Sequence, residues 1–156
     1  AAYAGLELTP SSVGHVECHA TGTPTGDAVE VQSVREFFSA TTRSAAVAPR
    51  SLGATKACVG HLLTGAGAMG ITAAVLAVRS ETRPPVAGLQ EPSAALLDAR
   101  DVVCAGAEAK AWELASHAKQ HGRVAAVNAF GFGGTNAHLL VQETEAALAA
   151  APRGTQ

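Results

Sequence analysis

The sequence is poor in aromatic and charged residues, and neither sign of charge dominates. Aromatic side chains make up 4% and charged side chains 15% of the 156 residues, and 11 basic against 13 acidic residues give a formal net charge of −2. Without a block of like charges, the chain has no electrostatic footprint for nucleic acid or for an anionic membrane surface. We therefore expect neither nucleic acid nor membrane as a partner.

A long hydrophobic run, a signal peptide and a disulfide framework are also lacking. The longest apolar-rich stretch, 65–78, is too short and too rich in glycine to span a bilayer, and residues 1–10 lack a basic flank. The three cysteines, Cys18, Cys58 and Cys104, are odd in number and lie in apolar runs, which favours reduced thiols that pack. We expect a reducing compartment, cytoplasmic or organellar.

Short β-branched runs alternate with alanine-rich stretches, as in an α/β sheet covered by helices. Strands are predicted at 13–18, 52–58, 124–128 and 138–142. Asp27 and Glu30 have the spacing of a capping box, which predicts a helix from there to about residue 40. A second helix, at 65–78, is apolar on nearly every face and is predicted to be buried.

The remainder of the chain carries weaker patterns. Residues 91–119 are irregular, with a possible helix near Trp112. Residues 1–145 are predicted to form one structural unit, followed by a linker or disordered tail at 146–156.

The first motif, VECHATGTPTGD, places His19 directly after an apolar strand. The small and hydroxyl residues at 20–25 suit a polar pocket supplied with backbone and threonine donors. The alternative is a strand-end histidine that only satisfies the backbone.

The second motif, KACVGHLLTGAG, places His61 just before the predicted buried helix. The helix dipole should disfavour the protonated imidazole, and a neutral imidazole can donate one hydrogen bond to an oxyanion. His61 could equally cap the helix. Lys56 is either a solvated cation at a strand end or a charge that tunes the histidine.

The third motif, NAFGFGGTN at 128–136, has the glycines of a sharp turn or of close approach to a ligand. Asn136 stands where a dinucleotide-binding loop needs its last glycine, which argues against nucleotide binding. A plain hairpin with a packed Phe132 is the alternative.

The other histidines point to structure. His117 and His121 have the spacing of a helical metal pair but no third ligand, and His15 and His138 are predicted to be structural. No metal site is predicted.

Taken in this order, the three motifs resemble the C-terminal half of the β-ketoacyl synthases, the condensing enzymes of fatty-acid and polyketide synthesis. VECHATGTPTGDAVE is similar to the family segment with the first catalytic histidine, TKACVGHLLTGAGA to that with the lysine and second histidine, and NAFGFGGTNAH to the closing loop. GTNAH looks more like polyketide or polyunsaturated-fatty-acid synthase domains. The resemblance implies an α/β fold, the C-terminal half of a thiolase-like fold with helices on a mixed sheet.

The resemblance also implies roles for individual residues in an acyltransferase. His19 and His61 would bind the thioester carbonyl while a malonyl-type extender loses carbon dioxide, and Lys56 would position the second site electrostatically. Such donors serve where negative charge develops on oxygen.

The substrate side is implied in the same way. Thr21 and Thr23 look like hydroxyls that hold a phosphopantetheine arm, and Phe132, after Gly131, looks like a gate beside the acyl pocket. The substrates would be carried on the phosphopantetheine of an acyl carrier protein, with no cofactor bound directly. The implied partners are that carrier protein, an N-terminal ketosynthase half and, through the full domain, a second copy.

The sequence departs from the family pattern where it matters most. No segment before His19 matches the one that carries the family's nucleophilic cysteine, and Cys18 would point to the opposite face of a regular strand. Cys58, Ala57 and Ala20 replace the commoner asparagine, serine and glycine. We expect the chain to supply the decarboxylation half of a ketosynthase and to be inactive alone. The alternative is a non-catalytic structural or interaction subunit.

Overall fold

The computed structural model describes residues 2–42, 48–114 and 118–144, which form a mixed sheet with helices on both faces. The strands, in chain order, are β1 (His15–Glu17), β2 (Arg50–Gly53), β3 (Thr82–Arg83), β4 (Val103–Cys104), β5 (Lys110–Ala111), β6 (Val124–Phe130) and β7 (Asn136–Gln142). The helices are α1 (Pro24–Thr42), α2 (Lys56–Val59), α3 (Ala66–Arg79) and α4 (Ala94–Asp98), with 3₁₀ turns at Pro10–Ser12, Leu63–Gly65 and Phe132–Gly134. The predicted α/β class is confirmed, and the predicted tail at 146–156 lies outside the described residues.

The five-stranded sheet has the order β4-β2-β1-β6-β7. β1 runs parallel to both β2 and β6, so that Val16 lies between Leu52 and Ala126, while β7 runs antiparallel to β6. Parallel neighbours end at the same edge of a sheet, and the loops after β1 and β2 carry the first two motifs. A separate two-stranded ribbon pairs β3 with β5.

The hydrophobic core has one part on each face of the sheet. On the α1 face, Val34 and Phe38 are buried in the same cluster as Val16. On the other face, Ala74 and Ala77 of α3 pack with Val127 of β6. Alternate residues of a strand point to opposite faces, which is why β6 contributes to both parts.

The predicted strand at 52–58 is too long. β2 ends at Gly53, and the N–H of Thr55 donates to Oε1 of Glu17 at 2.8 Å. The next N–H groups, of Ala57 and Cys58, donate to carbonyl groups three residues earlier and begin α2. A buried carboxylate on the neighbouring strand therefore turns the chain out of the sheet.

The helix predicted at 65–78 exists as α3, but the prediction that it is buried holds only for the side that faces the sheet. Gly70 packs closely on the sheet, since a Cβ there would lie 3.1 Å from Cγ1 of Val127. On the outer side, Val75 and Leu76 are 43% and 56% exposed. Apolar residues all round predict burial only when both sides of a helix have neighbours within the chain.

The segment around Trp112 also differs from its prediction. Among described residues 106–114 there is no helix, and the N–H of Trp112 donates to the carbonyl of Glu81 at 2.7 Å, next to the β3–β5 ribbon. Its indole is buried against Gly14, where a Cβ would lie 2.8 Å from Nε1. Tertiary packing, and not helix periodicity, fixes this residue.

All three thiols are free, but their burial differs from the expectation. Cys18 is buried, as predicted, whereas Cys58 and Cys104 are exposed, so the prediction that they pack is wrong within this chain. Burial raises the pKa of the Cys18 thiol well above its usual value, and the carboxylate of Glu30 acts in the same direction. Such a thiol is a poor nucleophile.

None of the helices in the described part of the chain is both long enough and apolar enough to cross a membrane.

Candidate active site

The two histidines singled out in the first two motifs meet at one edge of the sheet. His19 lies two residues beyond β1, and His61 follows α2, beyond the neighbouring strand β2. Their ring centroids are 5.5 Å apart, with the ring planes at 83°. In parallel sheets, side chains beyond the carboxyl ends of adjacent strands converge in this way.

Both imidazoles receive a backbone hydrogen bond on the same ring nitrogen. The N–H of Phe130 donates to Nδ1 of His19 at 3.3 Å, and the N–H of Leu63 donates to Nδ1 of His61 at 3.2 Å. In a neutral imidazole, an accepting Nδ1 leaves the proton on Nε2, a tautomer assigned here from the hydrogen-bond donors. His61 thus caps a turn and also keeps a donor available.

The neutral form of His19 is favoured by its surroundings. Burial lowers the pKa of His19, and the positive charge of Lys56 lowers this pKa further, while the carboxylate of Glu30 opposes them. Lys56 is the first residue of α2 and is half-buried. Lys56 thus acts electrostatically on His19, whereas the predicted effect of Lys56 on His61 stays a prediction.

Glu30 holds the His19 loop in place, a role that the sequence did not reveal. α1 begins at Pro24, so the predicted capping box is wrong. The buried carboxylate of Glu30 instead accepts the N–H groups of His19 and Ala20, each at 2.8 Å. Ala20 has a φ of 38°, which costs an L-residue free energy, and the hydrogen bond to Glu30 stabilises it there.

The third motif forms the turn between β6 and β7, and its aromatic rings lie against the two histidines. The ring of Phe130 lies 5.4 Å from that of His19, and Phe132 stacks on His61 at 6.4 Å with planes 9° apart. Phe132 is 90% exposed, so the alternative in which it only packs is wrong within this chain. Gly131 is required, because a Cβ there would lie 2.9 Å from the carbonyl oxygen of Thr135.

A cavity of about 640 Å³ joins these groups. The first motif contributes His19 to its lining, and Ala137 of β7 also borders it. The second and third motifs contribute His61, Leu63, Thr64, Ala66, Gly67, Ala129, Phe130, Gly131, Phe132 and Thr135. The two histidines are the titratable groups on this otherwise largely apolar wall. Both imidazoles therefore face one largely apolar cavity, where each can serve as a hydrogen-bond donor to a bound group.

Thr21 and Thr23 lie apart from this cavity. Both are exposed in the loop before α1, and their hydroxyl oxygens are 3.3 Å apart. Their predicted role stays a prediction.

Two further histidines were predicted to be structural. Nδ1 of the buried His15 lies 2.9 Å from Oγ of Ser51, in keeping with that prediction. His138 is half-buried, and its Nδ1 lies 2.7 Å from Oδ1 of Asn128.

Within the described ranges, no group of three histidine, cysteine or acidic residues is arranged to hold a metal ion. His117, half of the i, i+4 pair, lies outside them.

Comparison with known proteins identifies the class to which this fold and site belong. Residues 1–90 match the family model described as β-ketoacyl synthase, C-terminal domain. The chain is 42% identical over 143 residues to the highly reducing polyketide synthase otaA of Aspergillus carbonarius, covering 92% of this chain and 5% of that protein. It is 40% identical over 162 residues to the polyketide synthase ThaG of Burkholderia thailandensis, covering 97% and 3%.

Solved structures of ketosynthases also resemble this chain in fold. The ketosynthase from module 6 of the bacillaene synthase of Bacillus subtilis 168 superposes with a TM-score of 0.80 at 28% identity, over 92% of this chain and 25% of that one. The PfaC keto synthase–chain length factor gives a TM-score of 0.73 at 36% identity, over 91% and 14%. This chain thus spans only a small part of the relatives that it matches.

The chain belongs to the β-ketoacyl synthase family and corresponds to the C-terminal part of a polyketide-synthase-type ketosynthase with a thiolase-like fold. This confirms the resemblance drawn from the three motifs.

Proposed function

We propose that this chain supplies the decarboxylating half of a ketosynthase active site, which works in decarboxylative Claisen condensation. The observation that carries the proposal is the pair of imidazoles with ring centroids 5.5 Å apart, each of which accepts a backbone N–H at Nδ1. In the neutral ring this leaves the proton on Nε2. Both rings line one cavity, so two donors are available to one thioester oxygen.

The reaction follows from where charge develops. As the bond between the α-carbon and the carboxylate of a malonyl-type thioester breaks, carbon dioxide leaves and the electron pair becomes an enolate. Its oxygen accepts hydrogen bonds from His19 and His61, each worth about 3 to 4 kcal/mol by analogy with oxyanion-hole donors. The enolate carbon then attacks an acyl thioester, and the thiolate of that thioester leaves.

That thioester would be held by a cysteine of an N-terminal ketosynthase half. Cys18 is buried with a raised pKa, which makes it unsuited to carry an acyl group. The chain is accordingly proposed to be inactive without that half. The malonyl-type substrate would arrive on the phosphopantetheine of an acyl carrier protein, and dimerisation would occur through the complete domain.

The remaining candidate residues are assigned roles under the same proposal. Thr21 and Thr23 present adjacent exposed hydroxyls that suit a polar pantetheine arm. The exposed ring of Phe132 over His61 suits a gate at the cavity mouth. Lys56 would favour the neutral form of His19, which the reaction needs.

The test is complementation with an N-terminal ketosynthase half that carries the nucleophilic cysteine. The readout is release of carbon dioxide from a malonyl thioester. His19→Ala and His61→Ala should each lower the rate by about 100-fold or more. His121→Ala is the matched control, because His121 lies at the far end of the sheet near Gln142. A complex that is active and unaffected by His19→Ala and His61→Ala would overturn the proposal.

A second candidate is a non-catalytic subunit that completes a larger complex. It is favoured by the exposed apolar side of α3, where Val75 and Leu76 would be covered by a partner. Binding of the N-terminal half without any decarboxylation would support this candidate against the first.

A further inference from the structure

Behind the histidine pair, four polar side chains form a continuous line of hydrogen bonds. Oε1 of Glu30 lies 3.0 Å from Nδ2 of Asn128, and Oδ1 of Asn128 lies 2.7 Å from Nδ1 of His138. Nε2 of His138 lies 3.4 Å from the hydroxyl of Tyr3. We propose that Asn128 and His138 are positioning residues that hold His19 in its reactive geometry through Glu30, an inference that rests on the proposed function.

The direction of each hydrogen bond follows from one end of the line. A carboxylate can only accept, so Asn128 must turn its amide N–H toward Glu30 and its oxygen toward His138. That oxygen also only accepts, so Nδ1 of His138 must carry the proton. Nε2 of His138 is then bare and accepts from the hydroxyl of Tyr3.

The protonation states that this arrangement needs agree with burial. Burial lowers the pKa of His138, which favours the neutral imidazole, and it raises the pKa of Tyr3 to about 12, which keeps the phenol protonated. His138 therefore has the tautomer opposite to that of His19. Its proton is on Nδ1, whereas the proton of His19 is on Nε2.

The line acts on the catalytic histidine and not on the substrate. Asn128 and His138 face one another across β6 and β7 and border a second cavity of about 350 Å³ beside α1, which shares Phe130 with the histidine cavity. Their neighbours Ala129 and Ala137 line the histidine cavity, because adjacent residues of a strand point to opposite faces. A change at His138 should therefore alter kcat and leave the KM for the thioester nearly unchanged.

What the line stabilises is the turn after β1. Glu30 is buried and accepts three donors, two of which are the backbone N–H groups of His19 and of Ala20, the residue with the positive φ. If Asn128 is free to rotate, the carboxylate loses one donor and its fixed position. His19 then loses part of its alignment with His61.

The kinetic test uses the complemented ketosynthase and its decarboxylation rate. His138→Leu should lower kcat by about tenfold at unchanged KM, since displacement of a catalytic group by less than 1 Å has effects of this order. His138→Asn should stay within about threefold of the parent, because the Asn amide nitrogen can take the place of Nδ1. Gln142→Leu, at an exposed position of the same strand, is the control.

The spectroscopic test needs no turnover. In protein labelled with ¹⁵N-histidine and bound to the N-terminal half, His138 should show the Nδ1–H tautomer and His19 the Nε2–H tautomer. His138→Leu should shift the His19 ring signals, and Gln142→Leu should not.

The outcomes separate the two proposals. The opposite tautomer at His138, or His19 signals and kcat that are indifferent to His138→Leu, would overturn the positioning role. An equal loss of kcat in His138→Leu and His138→Asn would mean that His138 acts only by packing, which would also overturn the positioning role. If the His138→Leu protein does not fold, the tautomers of His138 and His19 and the kcat of His138→Asn still test the positioning role. A complex with these tautomers and the His19 shift but no decarboxylation would refute the proposed function and leave the positioning of His19 standing.

Discussion

Replacing Glu30 by Gln turns one buried carboxylate oxygen into an N–H donor and leaves the shape of the side chain unchanged. Oε1 now accepts from His19 and Asn128, and Oε2 accepts from Ala20. If the amide oxygen of Gln takes the place of Oε1, its NH₂ group must face the N–H of Ala20 at 2.8 Å. Two donors then meet in a buried place with no acceptor between them.

The expected cost follows from these contacts. Hydrogen bonds to a charged group contribute about 1.5 to 3 kcal/mol, and a buried unsatisfied donor costs about 1 to 3 kcal/mol. We expect Glu30→Gln to lower the free energy of unfolding by about 3 kcal/mol, measured by urea denaturation followed by circular dichroism. Decarboxylation by the complemented enzyme should fall at least tenfold, because the turn that carries His19 is released.

Glu36→Gln is the matched control. It makes the same chemical change on the same helix, but Glu36 is exposed and contacts Gln32 at 2.7 Å. Its effect should stay within about 0.5 kcal/mol, as for most surface substitutions. If Glu30→Gln proves as harmless as Glu36→Gln, the assignment of Glu30 as the anchor of the His19 loop is wrong.

Two further predictions concern charges. Arg123 is buried between the carboxylates of Glu81 and Glu143, so Arg123→Met should lower the free energy of unfolding by about 3 kcal/mol. Arg35→Met breaks an exposed ion pair and should lower it by less than about 1 kcal/mol. Equal losses of unfolding free energy in urea denaturation would contradict this prediction. Lys56→Met should raise the pKa of His19 in an NMR titration, because a charge that disfavours the imidazolium is removed, and Lys56→Arg should not. A Lys56→Met protein with an unchanged His19 pKa would refute the assigned role of Lys56. The lowered pKa of His19 in the folded state also means that the unfolded chain binds more protons, so His19 destabilises the fold as pH falls through the ordinary histidine range.

Much of the framework could be predicted from sequence because it depends on local patterns. The β-branched runs gave strands β1, β6 and β7, and the alanine-rich stretch gave α3. The motifs placed His19 and His61 beyond strand ends, and parallel pairing brought them together. Spacing alone could not supply the 5.5 Å between the rings, which depends on the neighbouring positions of β1 and β2.

The errors share a physical cause. Glu30 has the spacing of a helix cap, and only the fold shows that its carboxylate turns back to the loop that precedes the helix. In the same way, Glu17 ends β2 from the neighbouring strand, and the indole of Trp112 is set by Gly14. These contacts join residues that are distant in sequence or out of helical phase, and no local pattern records them.

The exposed apolar face of α3 is an error of the opposite kind, in which a local pattern is present but the neighbours that it implies are not among the described residues. Its composition predicts burial, and the other wall that would bury Val75 and Leu76 is not contributed by the described residues.

If the proposed function holds, the alternation of residues along β6 and β7 makes the rate and the selectivity of this site separately adjustable. Ala129 and Ala137 point into the histidine cavity, whereas Asn128 and His138, one residue away on each strand, point to the opposite face. Larger side chains at the two alanines would narrow the histidine cavity, whereas the hydrogen bonds behind His19 lie on the opposite face of the hairpin. Under the proposed function, these two small residues are therefore the positions at which a change in acyl-chain preference would be sought first.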